Sequence, residues 1–163
     1  MERSTPRRLL VVAIFASAMG WLEAVVVVYI RAVLGFPHGA AVPAPAELEA
    51  VLRSVTWLMP AEQGREAATL VMLAAVGWLA ASEWRGRFGA FLVAFGVWDI
   101  VYYVGLYALL RWPPSLATYD LLFLVPPSPL WYQPVWVPVA ISVGFISAGA
   151  WMMAAGAARR RSE

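Results

Sequence analysis

Hydrophobic positions in this chain gather into four long runs, residues 9–34, 66–82, 88–110 and 135–158, instead of alternating with polar ones. Only Glu23 and Arg31 interrupt the first run, and only Asp99 the third. At 1.5 Å per residue, a helix needs about 20 residues to cross a hydrocarbon core about 30 Å thick. Backbone groups in lipid must be paired within the chain, so such runs are helices or barrel strands, and the lack of period-two alternation favours helices. The pattern predicts an all-α integral membrane bundle of four transmembrane helices forming one domain, residues 1–163, with connecting loops at 35–65 and 111–134.

The first loop has a period of its own. Leu48, Val51, Leu52, Val55, Leu58 and Met59 fall on one helical face. Pro45 suits a first turn, Glu47 and Glu49 favour the N-terminal end, and Pro60 reads as a stop. An amphipathic helix lying on the outer leaflet is therefore expected over residues 46–59. In the second loop, residues 121–125 are too short to span and read as an interfacial or shallow re-entrant segment. Residues 128–138, with three prolines and two tryptophans, read as a rigid entry to the last span.

Composition agrees with lipid burial. Hydrophobic residues make up 62% of the 163 and charged residues 13%, against a charged share of about a quarter in soluble domains. Lysine is absent, and arginine placement sets the orientation. Arg3, Arg7, Arg8, Arg85, Arg87, Arg159, Arg160 and Arg161 fall at one end of a four-span bundle, and Arg31, Arg53, Arg65 and Arg111 at the other. By the positive-inside rule the first end is cytoplasmic, with both termini. Arg7 and Arg8 followed by a short apolar stretch and Ala16-Ser17-Ala18 resemble a signal peptide, but the apolar run continues through Val28, so an uncleaved anchor is expected.

Several chemistries drop out. There is no cysteine and a single histidine, His38, in a Pro/Gly loop, which removes thiolate nucleophiles, Cys-type metal sites and bis-histidine haem. No glycine-rich phosphate loop, catalytic triad or metal-ligand spacing is visible, so no metal and no cofactor is expected. A net charge of +2 gives no case for nucleic acid. The expected partners are the lipid bilayer and a homo-oligomer or a larger membrane complex. Rows of small residues at four-residue spacing, Ala16-Gly20-Ala24, Gly77-Ala81 and Ala140-Gly144-Ala148, read as close helix contacts or as self-association faces. The aromatic belt accounts for Trp57, Trp84, Trp112, Trp131, Trp136, Tyr119 and Tyr132. Trp21, Trp78, Trp98, Tyr102 and Tyr103 lie deeper.

The carboxylates within the spans carry the most information. An ionised side chain at mid-bilayer costs roughly 2.5–3.5 kcal/mol on insertion scales, and it usually faces a partner or water. Asp99 lies about 16 Å along its span and Glu23 about 21 Å along the first. Tyr102 and Tyr103 flank the face of Asp99, Arg31 follows Glu23 by two turns, and Arg65 and Glu66 start the second span at that level. Glu23, Arg31, Glu66, Asp99, Tyr102 and Tyr103 thus form the candidate ligand-binding set, with Asp120 and Arg111 in the loop above. Three readings follow: a self-satisfied structural network, with Glu23 paired to Arg31 or Arg65 and Asp99 protonated or bonded to a tyrosine; a cavity for a cation, proton or small polar solute; and carboxylate acid–base catalysis. The leading function is a small transporter-like or solute-binding protein, followed by an accessory or assembly subunit of a membrane complex and then by a membrane-embedded enzyme.

The segment from Trp98 to Tyr103, and the later run Trp112-Pro113-Pro114-Ser115-Leu116 with Asp120 to Pro126, resemble a family of small bacterial polytopic membrane proteins. The resemblance covers the larger, C-terminal part of the chain. It implies a bacterial inner-membrane location and no activity. Residues 131–138 also have the Trp/Pro character of the tryptophan-rich sensory proteins, but the order of features and the number of spans depart from that family, so neither its ligand nor its residues carry over.

Overall fold

A computed structural model describes residues 5–123 and 129–162. It is mostly helical: α1 (Thr5–Val33), α2 (Pro45–Ser54), α3 (Leu58–Ala80), α4 (Trp84–Leu110) and α5 (Trp136–Ser162). Two three-residue strands, β1 (Tyr119–Leu121) and β2 (Tyr132–Pro134), pair antiparallel between α4 and α5, with Asp120 opposite Gln133.

Among the described residues three helices are long and apolar enough to cross a membrane: α1 at mean hydropathy 2.2, and α4 and α5 at 1.7 each. Helix α3 has 23 residues but carries Glu62, Arg65 and Glu66 near its start. That leaves an uncharged stretch about 21 Å long.

Helix α4 is the central element, with α1, α3 and α5 packed around it. Small residues make this possible, because without bulky side chains the backbones approach closely in the manner of membrane helix pairs. A Cβ on Gly20 would lie 2.5 Å from the Trp98 carbonyl oxygen, and one on Gly96 2.5 Å from that of Ser142. These contacts set α1 parallel to α4, and α5 antiparallel to it. The bundle therefore has a termini end and a loop end. Below the middle, Val12, Ala16, Leu73, Ala90, Val93, Ala94 and Met153 form a closed apolar core.

Of the small-residue rows, Ala16, Gly20 and Ala24 are buried against α4, and Gly77 is within contact of the Arg87 carbonyl. The row on α5 does not pack. Ala140, Gly144 and Ala148 are exposed, and a Cβ on Gly144 would meet nothing within 4 Å. The packing face of α5 is turned aside and uses Ser142, Gly149 and Met153.

The loop end departs from expectation in three ways. Helix α2 stops at Ser54, and Pro60 is not a terminator; it sits in the first turn of α3, where a missing N–H costs nothing. The apolar face of α2 does not lie free on a leaflet. Leu48, Leu52 and Leu58 pack against Ile30, Leu34, Phe36 and Val42. The expected re-entrant segment begins as β1, and residues 124–128 lie outside the described residues. Beyond them comes a turn at Pro129–Trp131, then β2 and the start of α5.

Candidate functional site

At the loop end the helices part around one cavity of about 410 Å³. Helix α4 supplies its floor through Trp98, Asp99, Tyr102 and Tyr103; α1 contributes Glu23 and Arg31; α3 contributes Glu62, Arg65, Glu66 and Thr69. Asp120 of β1 and Ser142 of α5 close the polar part, while Phe95, Phe123, Ile141 and Phe145 make the apolar part. All six residues of the sequence-derived set, Glu23, Arg31, Glu66, Asp99, Tyr102 and Tyr103, line this one space.

The charges within it are unevenly satisfied. Arg65 forms ion pairs with both Glu23 and Glu62, the latter at 2.8 Å, and Thr69 Oγ1 donates to Glu23 at 3.4 Å. Glu23 thus takes Arg65 and not Arg31. Ser142 Oγ donates to Asp99 Oδ2 at 2.8 Å, so the partner of Asp99 is a serine on another helix, not a tyrosine. Tyr103 donates instead to Asp120 Oδ2 at 3.0 Å, and the Leu121 N–H donates to Oδ1 at 2.9 Å. Arg31 donates to the Ala40 carbonyl and lies over the Trp112 ring, 5.2 Å from guanidinium carbon to centroid.

Glu23, Arg31, Glu62, Asp99 and Asp120 are at least nine-tenths buried. Among the described residues neither Arg31 nor Asp99 has an ion-pair partner, and the Nε of Arg31 and the indole nitrogen of Trp98 are buried without an acceptor. Tyr102 lies within the electrostatic reach of Asp120, Arg65, Asp99 and Arg31. In the segment beyond α4, burial pushes the Asp120 carboxyl up to about 7, against the pull of the Tyr103 hydroxyl, the Leu121 N–H and Arg31.

Five carboxyl and two guanidinium groups line the cavity, so acidic groups outnumber basic ones five to two. The carboxylates are spread around the wall. Among the described residues no three acidic or histidine side chains converge closely enough to hold a metal ion. Such a surface suits a ligand with several separated polar atoms better than a bare cation.

Sequence reasoning left out Glu62, Thr69, Trp98, Trp112 and Ser142. The first two were within reach: Glu62, Arg65, Glu66 and Thr69 follow the i, i+3, i+4, i+7 pattern of one helical face, masked by reading Pro60 as a stop. Trp112, assigned to the surface belt, is 1% exposed beneath Arg31. Trp21 and Trp78 face outward, and His38 lies 3.0 Å from the Leu109 carbonyl, away from the cavity. Compared with protein-family models, with curated proteins and with solved structures, the chain matches none.

Proposed function

We propose that this is a four-span protein of the bacterial inner membrane that binds a small polar, amine-bearing solute in the loop-end cavity, as a transporter-like or solute-binding protein. In this reading α3 is the remaining span, its charged first half shielded by α1, α4 and the cavity. The termini end, with Arg7, Arg8, Arg85 and Arg87, faces the cytoplasm, and the cavity lies in the outer half.

One observation carries the reading. Acidic side chains from α1, α3 and α4 line a single space, and among the described residues Asp99 has no cation partner there. A purely structural network would pair its charges, because an unpaired buried charge is costly. The test is thermal unfolding of the purified chain with ethanolamine, choline or spermidine, against glycerol and acetate as neutral and anionic controls. The amines are expected to raise the unfolding temperature by several degrees, and Asp99→Asn to remove that response while staying folded. A response equal for acetate and amines, or unchanged in Asp99→Asn, contradicts the proposal.

The accessory-subunit reading has its own support in the open face of Ala140, Gly144 and Ala148 on α5. There Gly144→Leu should leave amine binding intact and abolish co-purification of a membrane partner. A partner retained by Gly144→Leu would remove that reading.

A further inference from the structure

The cavity holds unpaired charge of both signs. On the α1 side, Arg31 is buried, forms no ion pair among the described residues, feels the Asp120 carboxyl only at a distance, and keeps one N–H without an acceptor. On the floor, Asp99 has a serine hydroxyl and, among the described residues, no cation. The nearby indole N–H of Trp98 also lacks an acceptor. These groups do not neutralise one another, although Arg65 shows that this site can pair an arginine twice over. In low-dielectric surroundings each unmatched charge is destabilising until something of opposite sign meets it. The matching ligand carries an ammonium group and an anionic oxygen on one short frame.

The apolar side of the cavity adds a second requirement. Helices α3 and α5 both pack on α4, and meet each other at most slightly. The apolar side of the cavity beside them is lined by Leu70 of α3, Phe95 of α4, Phe123 beyond β1, which packs on Phe95, and Ile141 and Phe145 of α5. Ile141 is 47% exposed, so this wall continues onto the outer surface of the bundle. If α3 spans the membrane, that surface is covered by acyl chains. A solute arriving from water would need no such slot. A headgroup with a chain attached would enter sideways and leave its chain between α3 and α5.

We propose that the cavity receives a zwitterionic amphiphile, its ammonium at Asp99, its anionic oxygen at Arg31, and its acyl or alkyl chain in the slot between α3 and α5. This rests on the solute-site reading above and names the ligand class for it. The shared chemistry, an ammonium with an anionic oxygen, also occurs in free phosphoethanolamine, so the test separates the two sources.

Binding to the full chain in neutral maltoside detergent is read by native mass spectrometry with four probes: dodecyl phosphoethanolamine, O-phosphoethanolamine, dodecylamine and dodecyl phosphate. The chain-bearing zwitterion is expected to bind at least tenfold tighter than each of the others. Arg31→Gln should bring it to the level of dodecylamine, Asp99→Asn to that of dodecyl phosphate, and Arg31→Lys should retain most of the affinity. Ile141→Trp, which obstructs the slot without touching the charges, should remove only the advantage of the chain. Equal affinity for O-phosphoethanolamine would overturn the slot, and equal affinity for dodecylamine would overturn the role of Arg31. In either case Asp99-dependent binding would still support the cavity as an amine site. Binding of all four probes that ignores both the Asp99 and the Arg31 substitutions would overturn this proposal and the earlier one together. Absence of binding by any probe would overturn the amphiphile while leaving the amine panel to decide the cavity.

Discussion

Along one face of α3, Leu73 and Gly77 are fully packed against the bundle, whereas about two turns earlier Glu66 and Thr69 of the same face line an open space. Helix α4 shows the same change, from Ala90, Val93 and Ala94 in the closed core to Asp99 and Tyr102 on the cavity floor. The two halves share their helices, so the difference arises from side chains. Near the termini end, glycine and alanine let backbones touch and dispersion contacts hold the bundle. Near the loop end α1 still touches α4, where a Cβ on Gly105 would lie 2.7 Å from that of Ala24, but long charged and aromatic side chains surround the cavity beside that contact, and α2 with the short β1–β2 ribbon closes the top. The polar cavity thus lies between the dry half near the termini and a second apolar cluster nearer the loop end, Ala24, Tyr103, Leu106, Leu110, Trp112 and Val135.

The largest effect should come from removing Arg65, a doubly paired cation. Arg65→Met leaves Glu23 and Glu62 buried without a positive charge, and stability should fall by about 3 kcal/mol, the scale of breaking a buried pair. Denaturant unfolding in mixed micelles measures this. Adding Glu23→Gln and Glu62→Gln should recover most of the loss, and failure to recover would mean that Arg65 acts through packing alone.

Overpacking the dry half ranks next. A Cβ on Gly89 would lie 2.7 Å from the Gly149 carbonyl oxygen, so Gly89→Leu should separate α4 from α5 and cost about 1–3 kcal/mol. It should weaken ligand binding only in proportion to the unfolded fraction. A variant that kept its stability would break the claim that close backbone contacts hold this half together.

A further effect concerns pH. The folded chain holds the Asp120 proton up to about 7, from an ordinary value of 3.8. The folded state therefore binds more protons than the unfolded one between these values, and stability falls as pH rises. The contribution is complete below about pH 4 and lost as pH climbs through 7. The groups facing Asp120 are Tyr102, Tyr103 and Asp99 on α4 and Arg31 on α1. The unfolding temperature should decline between pH 5 and 8, and Asp120→Asn should flatten that decline. An unchanged profile in Asp120→Asn would assign the dependence to another group.

Much of this was legible in the chain itself, for a physical reason. Lipid forces long apolar runs and makes each intramembrane charge conspicuous, so Glu23, Asp99 and Arg31 announced themselves by cost alone. What stayed hidden lacks such a penalty. Ser142 is an ordinary residue in a helix until Asp99 is placed opposite it. The start of α3 was misplaced because proline is as much at home in a first turn as at a helix end. The three-residue strands are too short to show a period, and their pairing is set by the chain's return to α5. The pairing of Arg65 in place of Arg31 with Glu23 depends on how α1 and α3 meet, which spacing within one helix does not encode.

The contrast between a dry half and a wet, acidic half can be tested directly because the chain has no cysteine. Glu66→Cys and Leu73→Cys place single thiols on one face of α3, in the cavity and in the core. Each is exposed, in sealed right-side-out vesicles, to membrane-impermeant methanethiosulfonates bearing trimethylammonium or sulfonate. The account predicts rapid modification of Glu66→Cys, faster by the cationic reagent, and protection of Leu73→Cys from both. Equal protection at the two positions, or a preference for the sulfonate at Glu66→Cys, would contradict it.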